Sequence, residues 1–226
     1  MTKVSVLVVD DQPVIRAAVA GLIAHEADLD VVGEASTGED ALRKAQRLRP
    51  DVVVMDVRMP ERDGIWATRQ ICADTDLSGT RVLILTTFED EAYVVQALRA
   101  GASGFIGKGA DPEEIVAAVR TVHVGEALLS PRATRALIDR YSRTDQSAAF
   151  SSAPPVDLGA LTERETEVLV MVAQGLSNAQ IAEALVISPL TAKTHVNRIM
   201  TKVSAHDRAQ LVIAAYENGL VRPGVE

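Results

Sequence analysis

The stretch Val53-Val54-Met55-Asp56-Val57-Arg58-Met59-Pro60 decides how the chain is read. An apolar run with β propensity ends abruptly on a carboxylate. Met59-Pro60 then leaves the helical region, because proline restricts the residue before it, and Asp63-Gly64 completes a turn. The pattern predicts a buried strand that delivers Asp56 to its C-terminal end. In open α/β sheets that end is where ligands and chemistry gather.

Working outward, Lys3 to Val9 is a near-continuous apolar run ending in Asp10-Asp11, as expected of a parallel strand covered on both faces. Pro13 opens a predicted helix to about Glu26. Further strands are predicted over 30–35, 51–55, 80–85 and 103–107, with helices over 39–49, 65–73, 89–100 and from Asp111-Pro112-Glu113-Glu114 onward. Five strands alternating with five helices argue for one doubly wound, five-stranded parallel sheet (α/β) over residues 1–122. Residues 123–158 read as a linker with a short helix over 131–141 and a Ser, Ala and Pro-rich stretch over 142–155. From Leu161 the strand signals vanish. Capping patterns at Thr162-Glu163-Arg164-Glu165, Ser177-Asn178 and Ser188-Pro189 predict short helices, with a further one over 207–218. Two short helices joined by a tight turn make residues 159–226 a small all-α helix-turn-helix domain.

Composition narrows the class. The 226 residues hold one cysteine, Cys72, so an intramolecular disulfide is excluded and a reducing, cytoplasmic setting is expected. The run Val4 to Val9 is too short for a secretory signal, and no apolar stretch approaches the roughly 18 residues of a membrane span, so no membrane partner is expected. The net charge of −8 argues against nucleic acid when taken whole. Yet no acidic residue falls between Ala184 and His206, where Lys193, Arg198 and Lys202 lie, and local charge governs phosphate contact.

Four strand ends carry polar groups, namely Asp10-Asp11, Asp56, Thr86 and Lys108, and in a parallel sheet these converge on one edge. Three carboxylates repel unless a cation neutralises them, and a hard oxygen set with room for water suits Mg²⁺. A carboxylate can act as a nucleophile on phosphorus, and Lys108 and Thr86 could then hold phosphoryl oxygens. Taken singly, each residue also has a plain structural role: Asp56 as a turn cap, Lys108 as a solvated lysine, Thr86 as a helix cap, Phe105 as core. In the second domain, a helical wheel of 191–203 collects Ala192, Val196, Ile199, Met200 and Val203 on one side. Thr194, Asn197 and Thr201 fall opposite, flanked by Lys193 and Arg198, a face suited to base edges and phosphates.

These landmarks, with Met59-Pro60, Asp63-Gly64 and Gly101 to Lys108 in order, resemble the flavodoxin-like receiver domain of two-component response regulators. The resemblance implies that Asp56 accepts a phosphoryl group from a sensor histidine kinase, with Mg²⁺-dependent self-phosphorylation and dephosphorylation as the sole chemistry. It implies Asp10, Asp11, Asp56 and the Arg58 backbone carbonyl as metal ligands, Thr86 and Phe105 as a switch pair, and Lys108 as the phosphoryl counter-ion. The C-terminal motifs, from Leu161-Thr162-Glu163-Arg164-Glu165 through Gly175-Leu176-Ser177-Asn178 to His195-Val196, resemble the LuxR/NarL group of transcription regulators. That implies DNA contacts from Lys193, Thr194, Asn197, Arg198, Thr201 and Lys202, a palindromic double-stranded operator, and a homodimer formed on phosphorylation. Two other classes fit the residues less well. A haloacid-dehalogenase-like phosphatase asks for an acid two residues after the nucleophile, where Arg58 stands. A ligand-sensing regulator asks for an apolar pocket in place of the acidic edge.

Overall fold

A computed structural model describes residues 3–87, 91–125, 128–129, 158–205 and 207–221. The chain divides into two compact units, Met1–Ala136 and Leu137–Glu226. The helix expected over 131–141 and the polar stretch over 142–155 lie outside the described residues.

In the first unit the strands are β1 Val4–Val9, β2 Leu29–Ala35, β3 Val52–Met55, β4 Arg81–Thr86 and β5 Gly104–Gly107. The helices are α1 Pro13–Ala24, α2 Gly38–Leu48, α3 Gly64–Ala73, α4 Glu91–Arg99 and α5 Pro112–His123. All strand pairs are parallel, in the order β2-β1-β3-β4-β5, so the winding direction reverses between β1 and β3. The central strand β3 is buried along its whole length, which is why it reads as an unbroken apolar run rather than an alternating one. Val6, Val8, Val52, Val54, Leu83 and Leu85 on the sheet pack with Ile115, Val119 and Val122 of α5 and Val19 and Ile23 of α1.

Two features differ from the sequence reading. A sixth strand, β6 Leu128–Leu129, pairs in parallel with β5, opposite Gly104 and Phe105. It falls inside the stretch read as linker. Two residues carry no usable periodicity, but they cover part of an edge whose N–H and C=O groups would otherwise stand open. A 3-10 turn, Thr75–Leu77, also follows α3, with the Asp76 N–H capped by the Asp74 carboxylate at 3.0 Å.

In the second unit α6 is Glu163–Ala173, α7 Asn178–Leu185, α8 Pro189–Lys202 and α9 Arg208–Glu217. The caps are those the sequence signals. Thr162 and Glu165 bond reciprocally, as do Ser177 and Gln180, and the Ser188 hydroxyl accepts from the Thr191 N–H at 3.0 Å. Val168, Leu169, Val172, Ile181, Val196, Ile199 and Leu211 form the core.

Candidate functional site

Strand register brings the first site together. Val9 of β1 pairs with Met55 of β3, Met55 with Ile84 of β4, and Thr86 with Gly107 of β5. The next residue along each of β1, β3 and β5 is Asp10, Asp56 or Lys108, and Thr86 closes β4, so all four side chains emerge on one edge at the reversal point. The Lys108 ammonium lies 2.6 Å from Asp10 Oδ2 and 2.9 Å from Asp56 Oδ2, with only about 5% of its side chain exposed. Asp56 Oδ1 accepts the Val57 N–H at 2.8 Å, and Asp10 Oδ1 accepts the Gln12 N–H at 2.9 Å.

Asp10, Asp11 and Asp56 each offer an oxygen within 4.8 Å of the others. Three carboxylates against one ammonium leave a net deficit of two positive charges, and Asp11 Oδ1 is buried with no hydrogen-bond partner. An orphaned buried oxygen in such a cluster fits a divalent, oxygen-seeking cation. Burial pushes the Asp56 carboxyl above its usual range of about 3.8, more than the hydrogen bonds from Lys108 and Thr86 pull it down. Burial also opposes the charge of Lys108, but Asp10 and Asp56 outweigh it and hold the ammonium above its ordinary value. Thr86 is fully buried and Phe105 is only 1% exposed, so the aromatic is turned inward in this structure.

Several contacts around this site carry no sequence signal. Arg16 of α1 donates through Nη1 to the Asp10 backbone carbonyl at 2.7 Å and through Nε to Glu34 at 3.1 Å, tying β1, α1 and β2 together behind the acids. The Arg58 guanidinium lies over the Tyr93 ring of α4, 5.3 Å from its centroid, and Nη2 donates to the Tyr93 hydroxyl at 3.0 Å. Gly64 does more than turn the chain. A Cβ there would sit 1.9 Å from the Asp56 carbonyl oxygen, so α3 can start against the Asp56 backbone only with glycine. Asp63 caps that start, accepting the Trp66 N–H at 2.7 Å.

The second candidate site is the outer face of α8. Ala192, Val196 and Ile199 are buried, while Lys193, Thr194, Asn197, Arg198 and Thr201 are exposed. Two expectations are refined. The Thr194 hydroxyl donates to the Leu190 carbonyl at 2.9 Å and the Thr201 hydroxyl to the Asn197 carbonyl at 3.0 Å. Such bonds to the preceding turn are common for helical threonines; they commit the hydroxyl protons to the backbone and leave the oxygens as acceptors. Lys202, read as a DNA contact, is exposed and donates to Glu165 at 2.7 Å and to the Ala160 carbonyl at 3.1 Å, fastening the end of α8 to the start of α6. The Lys202 bond, then the Thr162 N–H, hold the Glu165 carboxyl down at about 2.

Comparison with known proteins agrees with this geometry. The family described as response regulator receiver domain matches residues 6–120, and the family described as bacterial regulatory proteins, luxR family, matches 159–215. The transcriptional regulatory protein LnrK of Bacillus subtilis is 38% identical over 218 residues, covering 96% of this chain and 98% of its own length. The response regulator protein VraR of Staphylococcus aureus is 36% identical over 219 residues, covering 97% and 99%. The crystal structure of the response regulator ChrA, from a heme-sensing two-component system, matches with a TM-score of 0.51 at 34% identity, over 98% of this chain and all of that one. The chain belongs to the response regulators, in the group that joins a receiver domain to a LuxR-type DNA-binding domain.

Proposed function

We propose that this transcription regulator is switched by phosphorylation of Asp56 by a sensor histidine kinase in the cytoplasm, and that the phosphorylated form pairs on a palindromic DNA site. The observation that carries the reading is the acidic edge, where Lys108 bridges Asp10 and Asp56 beside an unsatisfied Asp11 oxygen. No helix among the described residues is long and apolar enough to cross a membrane.

Asp56 supplies the nucleophile. Its carboxylate oxygen attacks phosphorus, the kinase imidazole nitrogen leaves with the bonding pair, and an acyl phosphate results. Asp10, Asp11, Asp56 and the Arg58 backbone carbonyl would hold Mg²⁺, which supplies positive charge to the phosphoryl oxygens. Lys108 already sits against Asp56 and can pair with a second phosphoryl oxygen. Thr86 lies within reach of the Asp56 carboxylate and can donate to a third, with Phe105 packed inward behind it. That inward pairing is the arrangement expected of the phosphorylated state. A local change of charge thereby biases a two-state element. Hydrolysis of the acyl phosphate at the same site would return the regulator to rest.

In residues 159–226, Lys193 and Arg198 would meet phosphates or guanine, and Asn197 a base edge. Residues 207–218 would form the dimer contact, so that two α8 helices meet half-sites related by a two-fold axis. The test is the mass of the full chain in solution with Mg²⁺, with and without beryllofluoride, beside Asp56→Asn. A monomer-to-dimer shift that Asp56→Asn abolishes is expected. No shift, with Mg²⁺ shown to bind, would overturn receiver-driven pairing.

A further inference from the structure

The start of α8 presents apolar surface that the fold does not use. Leu190 is 74% exposed and Val186, in the turn before it, is 92% exposed. Val186, the C-cap of α7, is also held at φ 55°, the left-handed region that β-branched residues rarely adopt. An exposed, strained valine beside an exposed leucine contributes nothing to the core beneath, and such outliers point toward function.

Leu190, Thr194 and Asn197 stand four and three residues apart, so they share one stripe of the helix. Thr194 is exposed, and its hydroxyl is bonded to the Leu190 carbonyl, so its methyl is the group it can offer a partner as apolar surface. The N-terminal half of the stripe therefore offers a leucine side chain, then a methyl, then a carboxamide. Lys193 and Arg198 flank it, and no acidic residue falls between Ala184 and His206. Apolar groups set between cations complement a polyanion that carries apolar groups of its own. In the DNA major groove the thymine C5-methyl is that group, and a carboxamide pairs with adenine N6 and N7.

We propose that Leu190, with the methyl of Thr194, reads thymine methyl groups in the major groove, and that Asn197 reads an adenine beside them. The half-site then places A·T pairs under the N-terminal half of α8. This inference rests on the reading of α8 as the DNA-contacting helix and specifies what that helix selects.

The test uses the full chain with Mg²⁺ and beryllofluoride and duplexes selected from a random-sequence pool. Each thymine of a selected duplex is replaced in turn by uracil, which removes only the methyl. At one or two positions per half-site the wild type should lose about fourfold in affinity, the worth of about one buried methylene-sized group. Leu190→Ala, an exposed change to the best helix former that should leave the circular dichroism unchanged, should bind both duplexes equally at one of those positions at least, any sensitivity left being that of Thr194. Equal loss in both proteins, or no uracil-sensitive position, overturns the proposal while leaving DNA binding intact. Failure to select any duplex overturns the DNA reading itself, and this proposal with it.

Discussion

The acidic edge draws its side chains from four strand ends spread between Asp10 and Lys108, whereas Leu190, Thr194, Asn197 and Thr201 all come from one helix. The edge is crowded: Asp10 and Asp56 are each 3% exposed. The helix face is open. The chemistry explains the contrast. A carboxylate cluster that binds a cation and a phosphoryl group gains from low dielectric and fixed geometry. A surface that must meet DNA gains from projection, with its rigidity supplied by the helix beneath. Damage at the edge should therefore couple chemistry to stability, and damage on the helix face should alter binding alone.

The largest expected effect is that of Asp56→Asn, which should abolish phosphoryl incorporation from a small acyl-phosphate donor, read by intact mass. Its effect on stability should run the other way. The folded carboxyl titrates above 3.8, so the native state holds its proton longer than the unfolded chain. Its contribution is thus lost as pH rises from about 3.8 through the raised value, and at neutral pH the charge is a burden. Asp56→Asn should melt at the same or a higher temperature than wild type, and a clear drop would contradict that assignment.

Gly64→Ala should lower receiver stability by about 3 kcal/mol or more, because backbone rather than a flexible side chain stands in the way. The single tryptophan, Trp66, lies in α3, so its fluorescence during urea unfolding reports this unit alone. A wild-type midpoint would show that α3 can shift away from Asp56.

Smaller effects belong to the second unit. Glu165→Gln removes a carboxylate held at about 2 that both caps α6 and pairs with Lys202. The stability it supplies is present above the unfolded value of about 4.5 and is lost as pH falls toward 2. Gln keeps the capping bond, as Gln180 does at Ser177, so at neutral pH the substitution loses the charge pair with Lys202, should cost about 1 kcal/mol or less, and should flatten the acid limb of the helical signal. Smallest is Val186→Gly. Relief of the left-handed strain, less the entropy of glycine in the unfolded chain, should stabilise this unit by about 1 kcal/mol or less in chemical denaturation. If it destabilises instead, the exposed valine has a packing role that its 92% exposure does not suggest.

Much of both regions was legible in the sequence, since the signals are local. Apolar runs that stop on Asp10, Asp56 and Thr86 mark strand ends, and Thr162, Ser177 and Ser188 mark helix starts whose caps bond only a few residues away. A period of about 3.6 residues separates buried Ala192, Val196 and Ile199 from exposed Thr194 and Asn197. Parallel winding then follows from the alternation of strands and helices, because the crossover rules leave few other topologies.

Tertiary structure decided what no pattern encodes. Arg16 finds a backbone carbonyl, and carbonyls are the same in every residue. Lys202 was one more cation on a basic helix until folding set it 2.7 Å from Glu165. Leu128–Leu129 became a strand only because β5 had an open edge. Gly64 looked like turn chemistry, yet its need for a hydrogen in place of a side chain comes from the Asp56 carbonyl, whose nearness exists only once β3 and α3 have packed. Sequence determines which groups the chain can offer and on which face of an element they stand. Only packing, which sets distances to backbone and to residues remote in the chain, determines which of those groups meet.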